Sequence, residues 1–265
     1  MKIITITTDF GQREGYVGVM KGVIFSIAPQ VEIIDLTHEV PPQDILSGQI
    51  ILDDSVPYFP AGTIHIAVVD PGVGTTRRPI AARLGEQYFV GPDNGLITPL
   101  LERAEADRLP VEIVRLTDPT YWLKDVSNVF HGRDIFAPVA AHIAAGVPLF
   151  EMGEQINDPV RLEMPEPVFL DNGWRGQVIQ VDHFGNLATN LKAFHLDGMG
   201  AVAVYAAGKE IHGVSRTFGD GKPGDLLAII DSSNRLSVCV VNGSAARAIP
   251  AGMGAVIEVR SVKTK

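Results

Sequence analysis

Asp70 and Arg77 flank the segment Pro71-Gly72-Val73-Gly74-Thr75-Thr76. If this glycine-bearing segment folds back, it brings a carboxylate and a guanidinium together, and the opposite charge favours the ionised carboxylate. His131, in Phe130-His131-Gly132-Arg133-Asp134, can join such a pair as a proton carrier or hydrogen-bond partner. Two more polar clusters end short apolar runs: Thr7-Thr8-Asp9-Phe10-Gly11 and Asp35-Leu36-Thr37-His38. In the second half, Asp182-His183-Phe184-Gly185-Asn186 interrupts a strand-like stretch. An asparagine side chain offers a donor and an acceptor together, which suits an adenine edge, and an aspartate suits an ammonium or a hydroxyl. Each cluster also has a plainer reading. An aspartate ending a strand is often a cap or turn residue. Residues 131–134 read as ordinary helix-start polarity, and 182–186 as a bulge or tight turn. The conjunction carries more weight than any one cluster.

Absent motifs narrow the chemistry. The sequence holds no nucleoside-triphosphate phosphate loop, no dinucleotide fingerprint after its first strand, no paired zinc-type histidines and no nucleophile elbow. Net charge is −9, which argues against nucleic acid or an anionic membrane surface. No apolar run reaches the ~18 residues of a membrane span. The start, MKIITITTDFG, lacks a secretory signal, and the expectation is a soluble cytoplasmic protein. Cys239, the single cysteine, sits in an apolar run and reads as a small packed hydrophobe, as does His65 in its own strand.

The elements that must position these groups fall into two rhythms. Over residues 1–160, strand-like runs at 2–8, 31–36, 63–69 and 111–116 alternate with helical stripes at 16–27, 42–52, 96–102 and 134–145. Runs at 80–84 and 87–90 suggest a hairpin, and Pro42 is read as opening its helix. This is an α/β layered domain with a mostly parallel sheet, whose ligands gather at the carboxyl ends of the strands. Residues 161–175, carrying Pro165 and Pro167, read as a linker. Residues 176–265 hold short β-branched runs at 176–182, 201–205, 226–230, 236–241 and 255–259, with no convincing helix; a small antiparallel β-barrel is expected.

Five motifs in order carry a family resemblance: Thr8-Asp9-Phe10-Gly11, Asp70-Pro71-Gly72-Val73-Gly74-Thr75-Thr76-Arg77-Arg78, Gly91-Pro92-Asp93-Asn94-Gly95, Phe130-His131-Gly132-Arg133-Asp134 and Asp182-His183-Phe184-Gly185-Asn186. Together they resemble the S-adenosylmethionine hydroxide adenosyltransferases, relatives of the fluorinating and chlorinating enzymes that act on the same substrate. The resemblance implies an α/β domain joined to a small barrel. It also implies a homotrimer, with each substrate site between one subunit's N-terminal domain and its neighbour's C-terminal domain. The implied reaction is attack of water on the ribose C5′ of S-adenosyl-L-methionine, giving adenosine and L-methionine without a metal or cofactor.

By the same resemblance Asp70, Arg77 and His131 form the catalytic set, with Arg77 chosen over Arg78 by its spacing from Asp70. The proton acceptor is left open between Asp70 and His131. Asp9 accepts from the ribose hydroxyls, Asn186 reads the adenine edge, and Phe218 covers the adenine beside the backbone of Asn242-Gly243. Asp182 and Ser233 hold the methionine end. Where the halide-using relatives carry a tyrosine, a threonine and a serine, this chain has Asp70, Val73 and Gly132, and it lacks their extra loop. Water is therefore expected over halide. The alternatives are a halide-dependent adenosyltransferase and a non-catalytic adenosine-binding protein.

Overall fold

The computed structural model describes residues 2–262. The chain divides into two compact units, one ending at Glu163 and the other beginning at Met164. The expected linker thus spans this division and also contains a strand.

The first unit is built from β1 (Ile3–Thr8), α1 (Tyr16–Ile27), β2 (Glu32–Thr37), α2 (Ile45–Ser55), β3 (Ile64–Val68), β4 (Pro79–Leu84), β5 (Gln87–Pro92), α3 (Thr98–Ala106), β6 (Val111–Leu116), α4 (Ala137–Ala144) and β7 (Gly153–Gln155). Its sheet runs β2-β1-β3-β5-β4-β6-β7. The β1–β2, β1–β3 and β3–β5 pairs are parallel, whereas β4–β5, β4–β6 and β6–β7 are antiparallel. The sheet is therefore mixed rather than mostly parallel, because the tight hairpin between Leu84 and Gln87 reverses the chain where a crossover helix would have kept its direction.

Successive side chains of a strand face opposite sides of the sheet, and here both sides are covered. Ile64, Ile66 and Val68 join the core beneath α1 and α4, while Ala67 and Val69 join the core beneath α2 and α3. Double burial explains why β3 reads as a nearly unbroken apolar run. Asp44, not Pro42, caps α2: its carboxylate accepts the Ser47 N–H at 3.0 Å. His65, 1 % exposed, meets Thr5 Oγ1 at 2.8 Å, and burial pushes its pKa down to about 4, as befits a neutral core residue.

The second unit comprises β8 (Val168–Leu170), β9 (Gly173–Val181), β10 (Leu187–Lys192), β11 (Val202–Ala206), β12 (Lys209–His212), β13 (Leu226–Ile230), β14 (Arg235–Val240), a single helical turn α5 (Ala245–Ala248) and β15 (Val256–Ser261). The sheet order is β12-β11-β15-β9-β10-β14-β13, and every named strand pair is antiparallel. Beyond β12 the chain bridges back to β13 at Ser215 and Ile229, which nearly closes a barrel around Val178, Val204, Leu236 and Val259. β8 forms a hairpin with β9, so part of the expected linker belongs to the barrel unit. Cys239 is buried, and burial pushes its thiol up to about 12, consistent with an inert packed residue.

Candidate active site

β3 ends at Val68, and the chain must pass over the end of β5 to reach β4. Residues 70–77 make that passage. Gly74 takes φ +76°, and a Cβ there would stand 2.3 Å from the Asn128 carbonyl oxygen. Only glycine permits that approach, and it presses the loop against the segment leading to His131. Asn94 braces the same loop from the end of β5 by donating to the Val69 carbonyl at 2.8 Å. On the other side Asp134, fully buried, accepts the Ser127 N–H at 2.9 Å and the Arg133 guanidinium, fixing the turn around His131. The helix that follows begins with a wide π turn over Gly132–Phe136 before α4, a distortion that often accompanies functional sites.

Asp70, Arg77 and His131 meet as a result. Arg77 grips both Asp70 oxygens, Nε reaching Oδ1 at 3.1 Å and Nη2 reaching Oδ2. Nη2 also lies 3.1 Å from His131 Nδ1. The Asp70 and Arg77 side chains are only 5 % and 7 % exposed. Burial, then the Arg77 charge, pulls the His131 pKa below its ordinary 6.5, against opposing pulls from Asp70 and Asp134. Arg78 turns elsewhere, binding Asp93 and Asp158, which distinguishes the two adjacent arginines.

A guanidinium nitrogen only donates, so His131 Nδ1 must accept from it. In the neutral ring the hydrogen then resides on Nε2.

Asp70 and His131 line a cavity of about 240 Å³ together with Asp9, Phe10, Val73 and Phe130. Arg77 is not part of that wall; it stands behind and holds the two groups that are. Asp9 faces the same space, its carboxylate accepting the Gln43 N–H at 2.8 Å. Gln43 holds φ 66°, a left-handed conformation uncommon for a residue with a Cβ. Nothing in the sequence pattern singled out Gln43, or Phe10 and Phe130 as an edge-to-face pair 5.8 Å apart. Among the described residues no group of three or more His, Cys, Asp or Glu side chains is placed to hold a metal ion.

In the second unit, Asp182 accepts both the backbone N–H and the side-chain amide of Asn186, at 2.8 and 2.7 Å. Gly185, φ +83°, packs this turn on Ser244, and its carbonyl accepts the Ala246 N–H. Gly243 lies beside it, and Phe218 begins a short turn whose Gly221 neighbours Val241. Asp182, Asn186, Gly243 and Phe218 thus share one end of the barrel. Ser233 does not: it sits in the β13–β14 turn, a six-residue strand away from Gly243, roughly 20 Å at the rise of a strand.

An α/β unit that brings a carboxylate, a guanidinium and an imidazole together, followed by a small barrel with a polar turn, defines a two-unit α/β-plus-barrel protein. The S-adenosylmethionine (SAM) hydroxide adenosyltransferase N-terminal domain matches residues 4–153, and the corresponding C-terminal domain matches 176–258. The chain belongs to the SAM hydroxide adenosyltransferase family. It is 41 % identical over 245 residues to an (R)-S-adenosyl-L-methionine hydrolase of Salinispora arenicola, covering 92 % of each chain. It is 39 % identical to one from Thermus thermophilus, covering 94 % of this chain and 96 % of the other. A fluorinase of Nocardia brasiliensis is 28 % identical, with 97 % and 96 % covered. The crystal structure of an uncharacterized conserved protein from Thermotoga maritima superposes with a TM-score of 0.87 at 38 % identity, covering 97 % of this chain and 99 % of that one.

Proposed function

We propose that this chain hydrolyses S-adenosyl-L-methionine to adenosine and L-methionine, and that it takes the (R) sulfonium epimer named for its hydrolase relatives. The observation that carries the reading is the pair Asp70 and His131 on one cavity wall, with Arg77 locking both from behind. Water attacks C5′ in line with the C–S bond. A C–O bond forms, the C–S bond breaks, and its electron pair neutralises the sulfonium as methionine leaves. Sulfonium is already a good leaving group, so no acid is required. Placing one water in line can supply roughly 7–11 kcal/mol of the barrier.

The hydrogen-bond pattern supports Asp70 over His131 as the proton acceptor. His131 Nδ1 is occupied by Arg77 and Nε2 carries the hydrogen, so the imidazole donates to the water and aims it. Asp70 keeps lone pairs beyond those used by Arg77 and takes the proton. The same carboxylate repels a halide in the nucleophile position. A side chain at Gly132 would also crowd Phe10, whose ring atoms lie 3.4 Å from where its Cβ would be. Both features favour water over halide.

Asp9, lining the same cavity, holds the ribose hydroxyls, and Asn186, with Phe218 and the Gly243 backbone, receives the adenine. Asp182 takes the amino group of methionine. Ser233 is assigned the methionine end on resemblance alone. A cavity of about 240 Å³ is small for a whole ligand of this kind. We therefore infer that the substrate site is completed between copies in a homotrimer, by barrel residues of a neighbour. A lone buried cysteine suits a reducing compartment, and we place the protein in the cytoplasm.

The test is product analysis with each sulfonium epimer in heavy-oxygen water. Labelled adenosine from the (R) epimer is expected. No adenosine at any pH refutes hydrolysis, and 5′-halo-5′-deoxyadenosine on adding chloride or fluoride supports the halide alternative.

A further inference from the structure

Asp9 can hold a ribose only if the corner from Thr8 to Gly11 is fixed. Three hydrogen-bond contacts tie that corner, and two further contacts back them. Thr8 Oγ1 accepts the Phe10 N–H at 3.2 Å and lies 2.9 Å from His38 Nδ1. The His38 carbonyl accepts the Gly11 N–H at 2.8 Å. His38 Nε2 lies 3.1 Å from Asp35 Oδ1, within ion-pair distance though off the axis of a well-aligned ring hydrogen bond. Lys21 Nζ, from α1, donates to Asp35 Oδ2 at 2.5 Å. Thr8 is fully buried and His38 is 2 % exposed, while the Asp35 side chain is 35 % exposed.

A carboxylate accepts, which favours the hydrogen on His38 Nε2 and leaves Nδ1 to accept from the Thr8 hydroxyl. The Thr8 lone pairs then remain for the Phe10 N–H. The chain runs from a surface lysine to the backbone on either side of Asp9, with each member oriented by the next. Buried polar groups are costly unless partnered. An apolar residue at either buried position would have filled the same space without that demand. The convergence on one cavity-lining corner is what the network achieves.

We propose that Thr8 and His38, backed by Asp35 and Lys21, are positioning residues that hold Asp9 and Phe10 against the ribose. The inference rests on the functional reading above, in which Asp9 accepts from the ribose hydroxyls. They touch no substrate and act through the corner alone.

The test is a mutant cycle read as the adenosine dissociation constant, with Tm recorded for each protein. Thr8→Val keeps the shape and removes the hydroxyl; about tenfold weaker adenosine binding is expected from the loss of this buried hydrogen-bonded link. Thr8→Ser restores the hydroxyl and should bring affinity back to within about twofold of the parent. In an Asp9→Ala background, Thr8→Val should cost less than about twofold, since both changes act through one contact. Equal penalties in the two backgrounds, or none in either, overturn the inference. Asp35→Asn, at the half-exposed end of the chain, runs the same cycle with less risk to folding. About threefold weakening is expected there, vanishing in the Asp9→Ala background. A parent protein that binds no adenosine and releases none from substrate overturns the functional reading and the inference with it. A parent that binds adenosine but shows additive penalties overturns the inference alone.

Discussion

Two aspartates in two units are held in different ways. Asp70 is gripped by Arg77, and Arg77 also reaches His131, 54 positions further along the chain. Asp182 is satisfied within its own turn by Asn186, four positions away. The first arrangement exists only when β3, the 70–77 loop and the start of the helix at 132–144 are assembled. The second is a local motif that a short peptide turn can make. The first is nearly excluded from solvent and the second is half-buried. The difference fits the roles proposed for each: a reacting group needs an orientation fixed before substrate arrives, whereas a recognition turn can exchange an internal hydrogen bond for one to a ligand.

The largest effect should come from Asp70→Asn, which keeps the shape and removes the proton acceptor. The expected loss in kcat is on the order of 10³-fold. Adenosine affinity should stay within about threefold, because only the step is disabled. Equal losses in both would erase the distinction between the reacting and recognition regions.

Arg77→Ala should come next. It leaves Asp70 buried without its partner and should cost about 3–5 kcal/mol of folding stability by denaturant titration. Arg77→Lys should rescue little, because one ammonium cannot reproduce a fork that serves two Asp70 oxygens and His131 at once.

Asn186→Ala probes the other region. It should raise KM about tenfold with kcat nearly unchanged, as expected when a contact made equally in ground and transition states is lost. A kcat loss as large as that of Asp70→Asn would instead put the barrel turn in the chemistry.

The smallest effect is in the pH profile. Protonated His131 has no lone pair for Arg77 and adds a like charge beside it. Activity is therefore present above the His131 pKa and falls as pH drops through a point below 6.5. In Arg77→Gln one cause of the depression is gone, and the acid limb should move up toward 6.5; steady-state rates between about pH 4 and 8 read it.

The alternation of elements in the first unit was legible because doubly buried strands are apolar throughout and their helices carry one-sided stripes. The barrel was legible from its short β-branched runs. The hairpin's consequence was not: residues 80–90 suggested two short strands, but pairing direction depends on which neighbours close the sheet, and that made it mixed. The start of α2 was misread because Pro42 suits a helix start in isolation, while Asp44 supplies the carboxylate that satisfies the first turn.

By itself the sequence determined which residue types are present and in what order: the glycines that permit left-handed turns, the isolated polar clusters, the two rhythms and the resemblance they support. Only the tertiary structure decided that the guanidinium of Arg77, already preferred to Arg78 by the resemblance, also reaches His131, and that His38 backs the corner of Asp9. The physical reason is that hydrogen bonds have direction and a range of about 3 Å. Whether two groups far apart in the chain meet within that range depends on how sheets, loops and helices pack, which residue types alone do not state.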